Sequence, residues 1–221
     1  KLAVIIIALT FIISCSAADK STPSAAAPVK ILDPGASWVV NENTRLSMLR
    51  IAGGTISAPE GFSLTMTVNG IETAIKPGEY EGDIMLTLTK IILKKDAGHG
   101  SEFNLRTAVY LENGRYVPET SVSAAVTEGT VTDTEVKDAR ITSVGEAFNG
   151  IIATGDARES YLISNPVINL TGNGADDFAG VGAAIMADGN ADVTVNNASI
   201  TTNGCARTAI FVGGTSTMEV N

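Results

Sequence analysis

The side chains with catalytic potential are few, and the main group lies late in the chain. Asp176 and Asp177 are adjacent in a glycine-rich loop, and Arg158 and Glu159 lie in a loop upstream. Paired carboxylates serve as acid and base in glycoside hydrolysis, and acidic groups holding Ca²⁺ beside a basic residue serve in lyase chemistry. A solvated polar loop explains the same residues equally well. We therefore expect Asp176, Asp177 and Arg158 to contact a ligand, and we assign no catalytic residue.

Metal and thiol chemistry have little support in the sequence. His99 is the only histidine and lies between two glycines, whereas metal ligands come in groups. We expect it to be an exposed loop residue, and we predict neither a metal site nor a cofactor. Cys205 is interpreted as a small residue of a loop or core, because no histidine lies near it to activate the thiol.

The charge balance argues against nucleic acid as a partner. The 221 residues include 15 Lys+Arg and 24 Asp+Glu, for a formal net charge of -9. An acidic surface repels phosphate backbones, and no long basic run offsets it here. The length leaves room for one large or two modest domains.

The N-terminus has the features of an export signal. Residues 2–13 form an apolar run that is too short to span a bilayer, which needs about 20 residues. The run ends in Ile-Ile-Ser-Cys at Cys15, and this tetrapeptide resembles the bacterial lipobox. The resemblance implies cleavage before Cys15 and lipidation of its thiol. A plain secretory peptide with an incidental cysteine is the alternative.

Residues 1–14 are accordingly predicted to be a lipoprotein signal peptide and residues 15–30 a flexible tether. The tether is small and polar, with two prolines and no apolar period. Acyl chains on Cys15 would make membrane lipid a partner and anchor the exported protein to the cell envelope. Ser16 occupies the position where an Asp would resemble the inner-membrane retention signal of Gram-negative bacteria, so for a Gram-negative source the resemblance favours the outer membrane or the cell surface.

From residue 31 to residue 128 the pattern predicts a small antiparallel β domain or cap with few helices. Asn69-Gly70 separates two segments of alternating polarity, and Asn113-Gly114 separates another pair. Asn-Gly between alternating segments is the strongest short-range signal for a β-hairpin. We expect a hairpin at each site.

Three stretches in the last third of the chain match one another when aligned. They begin at Gly150, Ala184 and Ala209. The second and third are offset by a constant 25 residues, and the first and second by 32 or 33, with the excess in the loop 174–182. One copy is too short to bury its own apolar face, so we expect the copies to stack at the strand spacing of about 4.8 Å.

These repeats resemble the right-handed parallel β-helix of pectate-lyase-like enzymes and of many bacterial surface adhesins. The predicted fold class is all-β: a small antiparallel β domain followed, at 129–221, by the first turns of a right-handed parallel β-helix. Asn196 recurs as Asn221, which indicates an asparagine ladder. Because the chain opens on Lys1 and stops within an alternating run, we expect a fragment with further turns beyond Asn221.

Two functions from different classes fit this organisation. The favoured one is a surface-exposed lipoprotein that acts as a non-catalytic scaffold for adhesion or glycan contact, with a polysaccharide or a host cell-surface molecule as its ligand. The alternative is a polysaccharide lyase or glycoside hydrolase with its active site on later turns. The signature motifs of polygalacturonase-like hydrolases do not occur in the sequence, which favours the first.

Overall fold

The structure, a computed structural model, describes residues 28–95 and 100–221, with Lys95 described by its backbone alone. The predicted signal peptide, Cys15, most of the tether and His99 lie outside the described residues. Within the described ranges, no helix is long and apolar enough to cross a membrane. The predictions for the N-terminus therefore stay predictions.

The described chain is all-β, as predicted, with two 3₁₀ turns at Pro118–Thr120 and Ser123–Ala125. The first ten strands are β1 (Val29–Leu32), β2 (Ser37–Val39), β3 (Thr44–Ile51), β4 (Thr55–Ser57), β5 (Phe62–Val68), β6 (Ile71–Thr73), β7 (Gly78–Lys90), β8 (Ile92–Lys95), β9 (Glu102–Glu112) and β10 (Arg115–Tyr116). The remaining strands are β11 (Val126–Val131), β12 (Glu135–Ser143), β13 (Phe148–Ser164), β14 (Val167–Thr171), β15 (Ile185–Asn196), β16 (Ser199–Asn203), β17 (Ile210–Val212) and β18 (Thr217–Val220).

Both predicted hairpins are confirmed. β5 pairs antiparallel with β6, and β9 pairs antiparallel with β10. At the turns, Asn69 and Gly70 have φ angles of 53° and 78°, and Asn113 and Gly114 have 50° and 71°. Positive φ at both central residues is what a two-residue hairpin turn needs, and Asn-Gly adopts it at low cost.

The N-terminal part of the sheet is mixed rather than purely antiparallel. β3 and β5 each pair antiparallel with β7, but β1 pairs in parallel with β3. β2 and β4 pair in parallel with each other as a separate two-stranded sheet. Since β1 and β3 are separated by β2 and two bends, the chain can return in the same direction. The core beneath these strands consists of Val40, Leu46, Leu49, Ile51, Met66, Ile84 and Leu86.

The C-terminal part contains three sets of parallel strands. We call β9, the first half of β13, the first half of β15 and β17 the first stack. The second stack contains the start of β12, the ends of β13 and β15, and β18. The third stack contains the end of β12, β14 and β16. β9 thus joins the parallel stacks, although it lies in the segment expected to be antiparallel.

The predicted alignment of the second and third repeats is confirmed. Ile185 pairs with Ile210 and Val193 with Met218, each 25 residues later. The first and second repeats are offset by 34 residues up to Gly155, which pairs with Gly189, and by 32 beyond it. The expected offset of 32 or 33 was therefore wrong for the first half, because the register shifts between Gly155 and Glu159.

Apolar side chains of the three stacks form one buried cluster. Successive residues of a strand point to opposite faces, so every second residue faces inward. The inward set contains Val109, Leu111, Ile141, Phe148, Ile151, Ile163, Ile168, Leu170, Ile185, Val193 and Val195. All of them are fully buried, and the same register leaves their neighbours on the outer face.

A buried ion pair connects the two parts of the sheet. Glu72 of β6 is only 3% exposed, contacts the Arg106 guanidinium of β9 and accepts a hydrogen bond from the Ser143 hydroxyl of β12. Arg106 also donates to Thr65 Oγ1 at 3.2 Å, and its Cζ lies 5.7 Å from the centroid of the Phe148 ring. Removing one partner of such a pair leaves a buried charge uncompensated.

Candidate functional site

A groove of about 580 Å³ lies on the outer face of the first stack. Its floor is a row of residues in register, with Tyr110 beside Ile152, Ile152 beside Met186 and Met186 beside Phe211. Val109 and Leu111 point into the core, so the alternation of β9 turns Tyr110 and Glu112 toward the groove. We call this feature the outer groove.

Two segments form the walls of the outer groove. One is β8, which provides Leu93 and Lys94. The other is the loop between β14 and β15, residues 172–184, which provides Phe178 and Ala179. Phe178 is 83% exposed, the highest value among the exposed large apolar side chains described, so its ring is available to a ligand.

A second row in register gives the outer groove its charge. Glu112 of β9 pairs with Thr154 of β13, which pairs with Asp188 of β15. Asp188 Oδ2 contacts Lys94 Nζ, and both side chains are largely withdrawn from solvent. The same ammonium lies 5.5 Å from the centroid of the Phe211 ring, a distance at which a cation is attracted to the ring face.

The Tyr110 hydroxyl reaches from the floor of the groove to the charged row. It donates a hydrogen bond to Glu112 Oε1 at 3.1 Å. Burial raises the pKa of the Tyr110 phenol, and the Glu112 carboxylate raises it further. Tyr110 is therefore held protonated as a donor to Glu112 and does not act as a base at neutral pH.

Two buried side chains hold the 172–184 loop in place. The Asn149 amide donates to Gly180 O at 2.8 Å and accepts from Gly182 N at 3.0 Å. Arg207 is 8% exposed and donates to five backbone carbonyls. These are the carbonyls of Gly172 (2.7 Å), Phe148 (2.8 Å), Gly182 (3.1 Å), Gly145 (2.7 Å) and Asn173 (3.2 Å). Burial lowers the pKa of the Arg207 guanidinium, while the carboxylates of Glu146 and Glu72 raise it.

A glycine of the same loop permits its close approach to the groove floor. Gly180 has a φ of +71°, and a Cβ at this position would overlap the ring of Phe211. Only glycine satisfies both conditions without displacing a neighbour. The backbone that carries Phe178 is therefore constrained two residues later, at Gly180.

Among the described residues, the predicted ligand-contact residues Asp176 and Arg158 bond to other partners than each other. Asp176 Oδ1 accepts hydrogen bonds from the backbone of Phe178 (2.8 Å) and of Ala179 (3.0 Å), so it shapes the loop. Asp177 is exposed beside it. Arg158 donates to Thr217 Oγ1 at 3.1 Å and lies 3.5 Å from Asp192. No hydrogen bond or ion pair among the described residues joins Arg158 to either aspartate.

The predicted asparagine pair is linked by a hydrogen bond. Asn221 Nδ2 donates to Asn196 Oδ1 at 3.1 Å. A second ladder, not predicted, follows the corner between the second and third stacks. Asn197 donates to Asn165 at 3.2 Å, and Asn165 donates to Asp138 at 2.8 Å. All three corner residues have φ between 52° and 54°, a region that Asn and Asp tolerate better than most residues.

The sequence patterns did not predict the outer groove. Glu112 lies outside the three repeats, Lys94 precedes β9, and Phe178 lies in the excess loop. To place Glu112 and Asp188 on one face from the sequence, β9 would have to be aligned with β13 and β15, and the alternation of side chains would then have to be applied along each strand. Among the described residues, no group of three His, Cys, Asp or Glu side chains is arranged to hold a metal ion.

Comparison of the chain with models of protein families, with curated proteins and with solved structures finds no match.

Proposed function

We propose that this protein is a non-catalytic scaffold for glycan contact, built on a right-handed parallel β-helix and displayed at the cell envelope through a lipid on Cys15. The three parallel stacks, the recurring 25-residue register and the ladder at a repeated corner support the β-helix. The lipobox resemblance supports the anchor. The observation that carries the ligand class is the outer groove, with an exposed aromatic ring beside hydrogen-bonding carboxylates.

The outer groove matches the chemistry of a sugar ring. A pyranose has an apolar face of C–H groups that packs against aromatic rings, and a rim of hydroxyls that donate hydrogen bonds. Phe178 and Phe211 provide the aromatic surface, while Glu112 and Asp188 provide acceptors. Because the groove crosses strands at a spacing of about 4.8 Å, successive strands can contact successive parts of an extended chain.

The role of Phe178 can be tested by replacing it with alanine. We expect Phe178→Ala to weaken binding of the recognised oligosaccharide about tenfold, because it removes the most exposed aromatic surface of the groove. Its melting temperature should stay near that of the wild type, since the ring is mostly in solvent. Affinity is measured by titration calorimetry with oligosaccharides chosen from a glycan array.

Phe62→Ala is the matched control. Phe62 is 37% exposed on β5 and does not line the outer groove, so its removal should leave affinity unchanged. Wild-type affinity in Phe178→Ala, or absence of any glycan ligand for the wild type, would contradict the proposal.

Hydrolysis is a second candidate function, favoured by one observation. Glu112 and Asp188 lie at matched positions two strands apart, so their Cα atoms are about 10 Å from each other. Inverting glycosidases hold their two carboxyl groups about 6.5–9.5 Å apart. Asp188 also contacts the Lys94 ammonium. Release of reducing sugar that disappears in both Glu112→Gln and Asp188→Asn would establish this activity.

The lipid anchor has a separate test. Labelled palmitate should enter the wild-type protein in a bacterial host and fail to enter a Cys15→Ala variant. Incorporation into the variant would show that the cysteine is not the acceptor.

A further inference from the structure

We infer that the outer groove selects glycans that carry protonated amino groups over glycans that carry uronic acids. This inference rests on the proposed glycan contact and specifies its ligand. It follows from the charges, the hydrogen-bonding groups and the aromatic rings that face the groove.

The charges of the outer groove do not balance. Glu112, Asp188 and Lys94 are its ionisable carboxylate and ammonium groups, so it has one more negative charge than positive. Lys94 is already in contact with Asp188, and the two side chains are only 13% and 25% exposed. Glu112 is exposed and has no ion-pair partner among the described residues. A ligand that enters the groove therefore meets an uncompensated carboxylate.

Hydrogen-bond acceptors are in excess in the same place. The Tyr110 hydroxyl is used on Glu112 Oε1, and the Lys94 ammonium on Asp188 Oδ2. Within the described part of the chain, no donor reaches Glu112 Oε2 or Asp188 Oδ1. The groove thus favours a ligand that brings donors, and an ammonium group brings three.

The aromatic rings reinforce the preference for a cation. The Lys94 ammonium 5.5 Å from the Phe211 centroid shows that this part of the groove accommodates positive charge. Phe178, which also lines the groove, exposes its ring to solvent. An amino sugar in the groove would have its ammonium near Glu112 and its C–H face against an aromatic ring. A uronate would meet repulsion from Glu112 and from a chain whose net charge is -9.

The test uses three hexasaccharides that differ in charge. They are a glucosamine hexamer at a pH where its amines are protonated, an N-acetylglucosamine hexamer and a galacturonate hexamer. By titration calorimetry we expect the wild type to bind the first about fivefold more tightly than the second, equivalent to about 1 kcal/mol for one solvent-exposed charge contact. The galacturonate hexamer should bind more weakly than both.

Two variants assign the preference to one carboxylate. Glu112→Gln keeps the shape of the side chain and removes its charge, so it should bind the amine and the N-acetyl hexamers equally. Glu60→Gln, on an exposed residue that does not line the groove, should keep the fivefold ratio. In the wild type, raising the salt concentration should reduce the ratio because the contact is electrostatic.

The possible failures are distinguishable. A wild type that binds amine and N-acetyl hexamers equally, or a Glu112→Gln variant that keeps the preference, overturns the charge selection and leaves glycan contact standing. Tighter binding of the galacturonate hexamer reverses it. If none of the three hexamers binds and an array of other glycans is also negative, the proposed function itself fails, and the selection with it.

Discussion

Arg207 provides the sharpest test of how the 172–184 loop is held. Its guanidinium donates to five backbone carbonyls of segments up to 62 residues away in sequence, and the residue is only 8% exposed. Arg207→Met keeps the length and the apolar stem of the side chain but removes every donor. The carbonyl of Asn173 retains one partner, the backbone N–H of Ala147 at 2.8 Å. The other four lose a charged donor, and two of them, Phe148 and Gly182, belong to buried residues.

The expected loss of stability follows from these contacts. A buried acceptor left without a partner costs about 1–3 kcal/mol, and relaxation of the loop recovers part of that cost. We expect Arg207→Met to lower the free energy of unfolding by about 4 kcal/mol, which is at the upper end for single substitutions. Phe178 lies in the loop that is released, so glycan affinity should fall as well.

Arg158→Met is the matched control. Arg158 is also hydrogen-bonded and ion-paired, but its side chain is 57% exposed, and exposed ion pairs contribute about 0–1 kcal/mol. Urea denaturation followed by circular dichroism measures both variants. A loss below about 1 kcal/mol for Arg207→Met, or equal losses for the two, would refute the reasoning.

Three further predictions concern other parts of the fold. Glu72→Gln should cost about 3 kcal/mol in urea denaturation, because it leaves the charge of its arginine partner partly buried and unpaired; a cost below about 1 kcal/mol would contradict this. Asn197→Ala should lower stability by about 1–2 kcal/mol, because it removes the hydrogen bond to Asn165 and places alanine at a φ of 52°. Asn197→Gly should lower stability less, because glycine adopts positive φ at low cost. The reverse order of the two variants in thermal melts would contradict this account of the corner. The hydrogen bond from Thr217, more than the nearby arginine, lowers the pKa of Asp192, so Thr217→Val should raise that pKa toward its ordinary value of about 3.9 in an NMR titration. The bond stabilises the fold at pH values above the ordinary pKa of the carboxyl group, and its contribution is lost as the pH falls through the folded-state pKa. An unchanged Asp192 titration in Thr217→Val would disprove the role of the bond.

Local signals in the sequence predicted much of the fold. The hairpins at Asn69-Gly70 and Asn113-Gly114 were predictable because both turn residues favour positive φ wherever they occur. The pairing of Ile185 with Ile210 was predictable because the apolar pattern repeats with no insertion between the copies. The register shift after Gly155 was not predictable, because two extra residues in a strand leave the alternation of its side chains unchanged.

The candidate site could be predicted far less. Asp176 and Asp177 attracted a functional interpretation as an acidic pair, yet Asp176 binds its own loop backbone. Lys94 and Asp188, which do meet, are 94 residues apart in sequence. Nothing in the type or spacing of either residue identifies the other, because a contact between distant strands depends on how the whole chain folds.

The sequence by itself determined the all-β class, the hairpins and the 25-residue register, because alternating polarity and turn chemistry act over a few residues and recur along the chain. Only the tertiary structure decided that β8 and the 172–184 loop both line the groove on the outer face of the first stack. The reason is physical. Asn149 and Arg207 fix that loop through backbone groups, which every residue has, so no pattern of residue types records the contact.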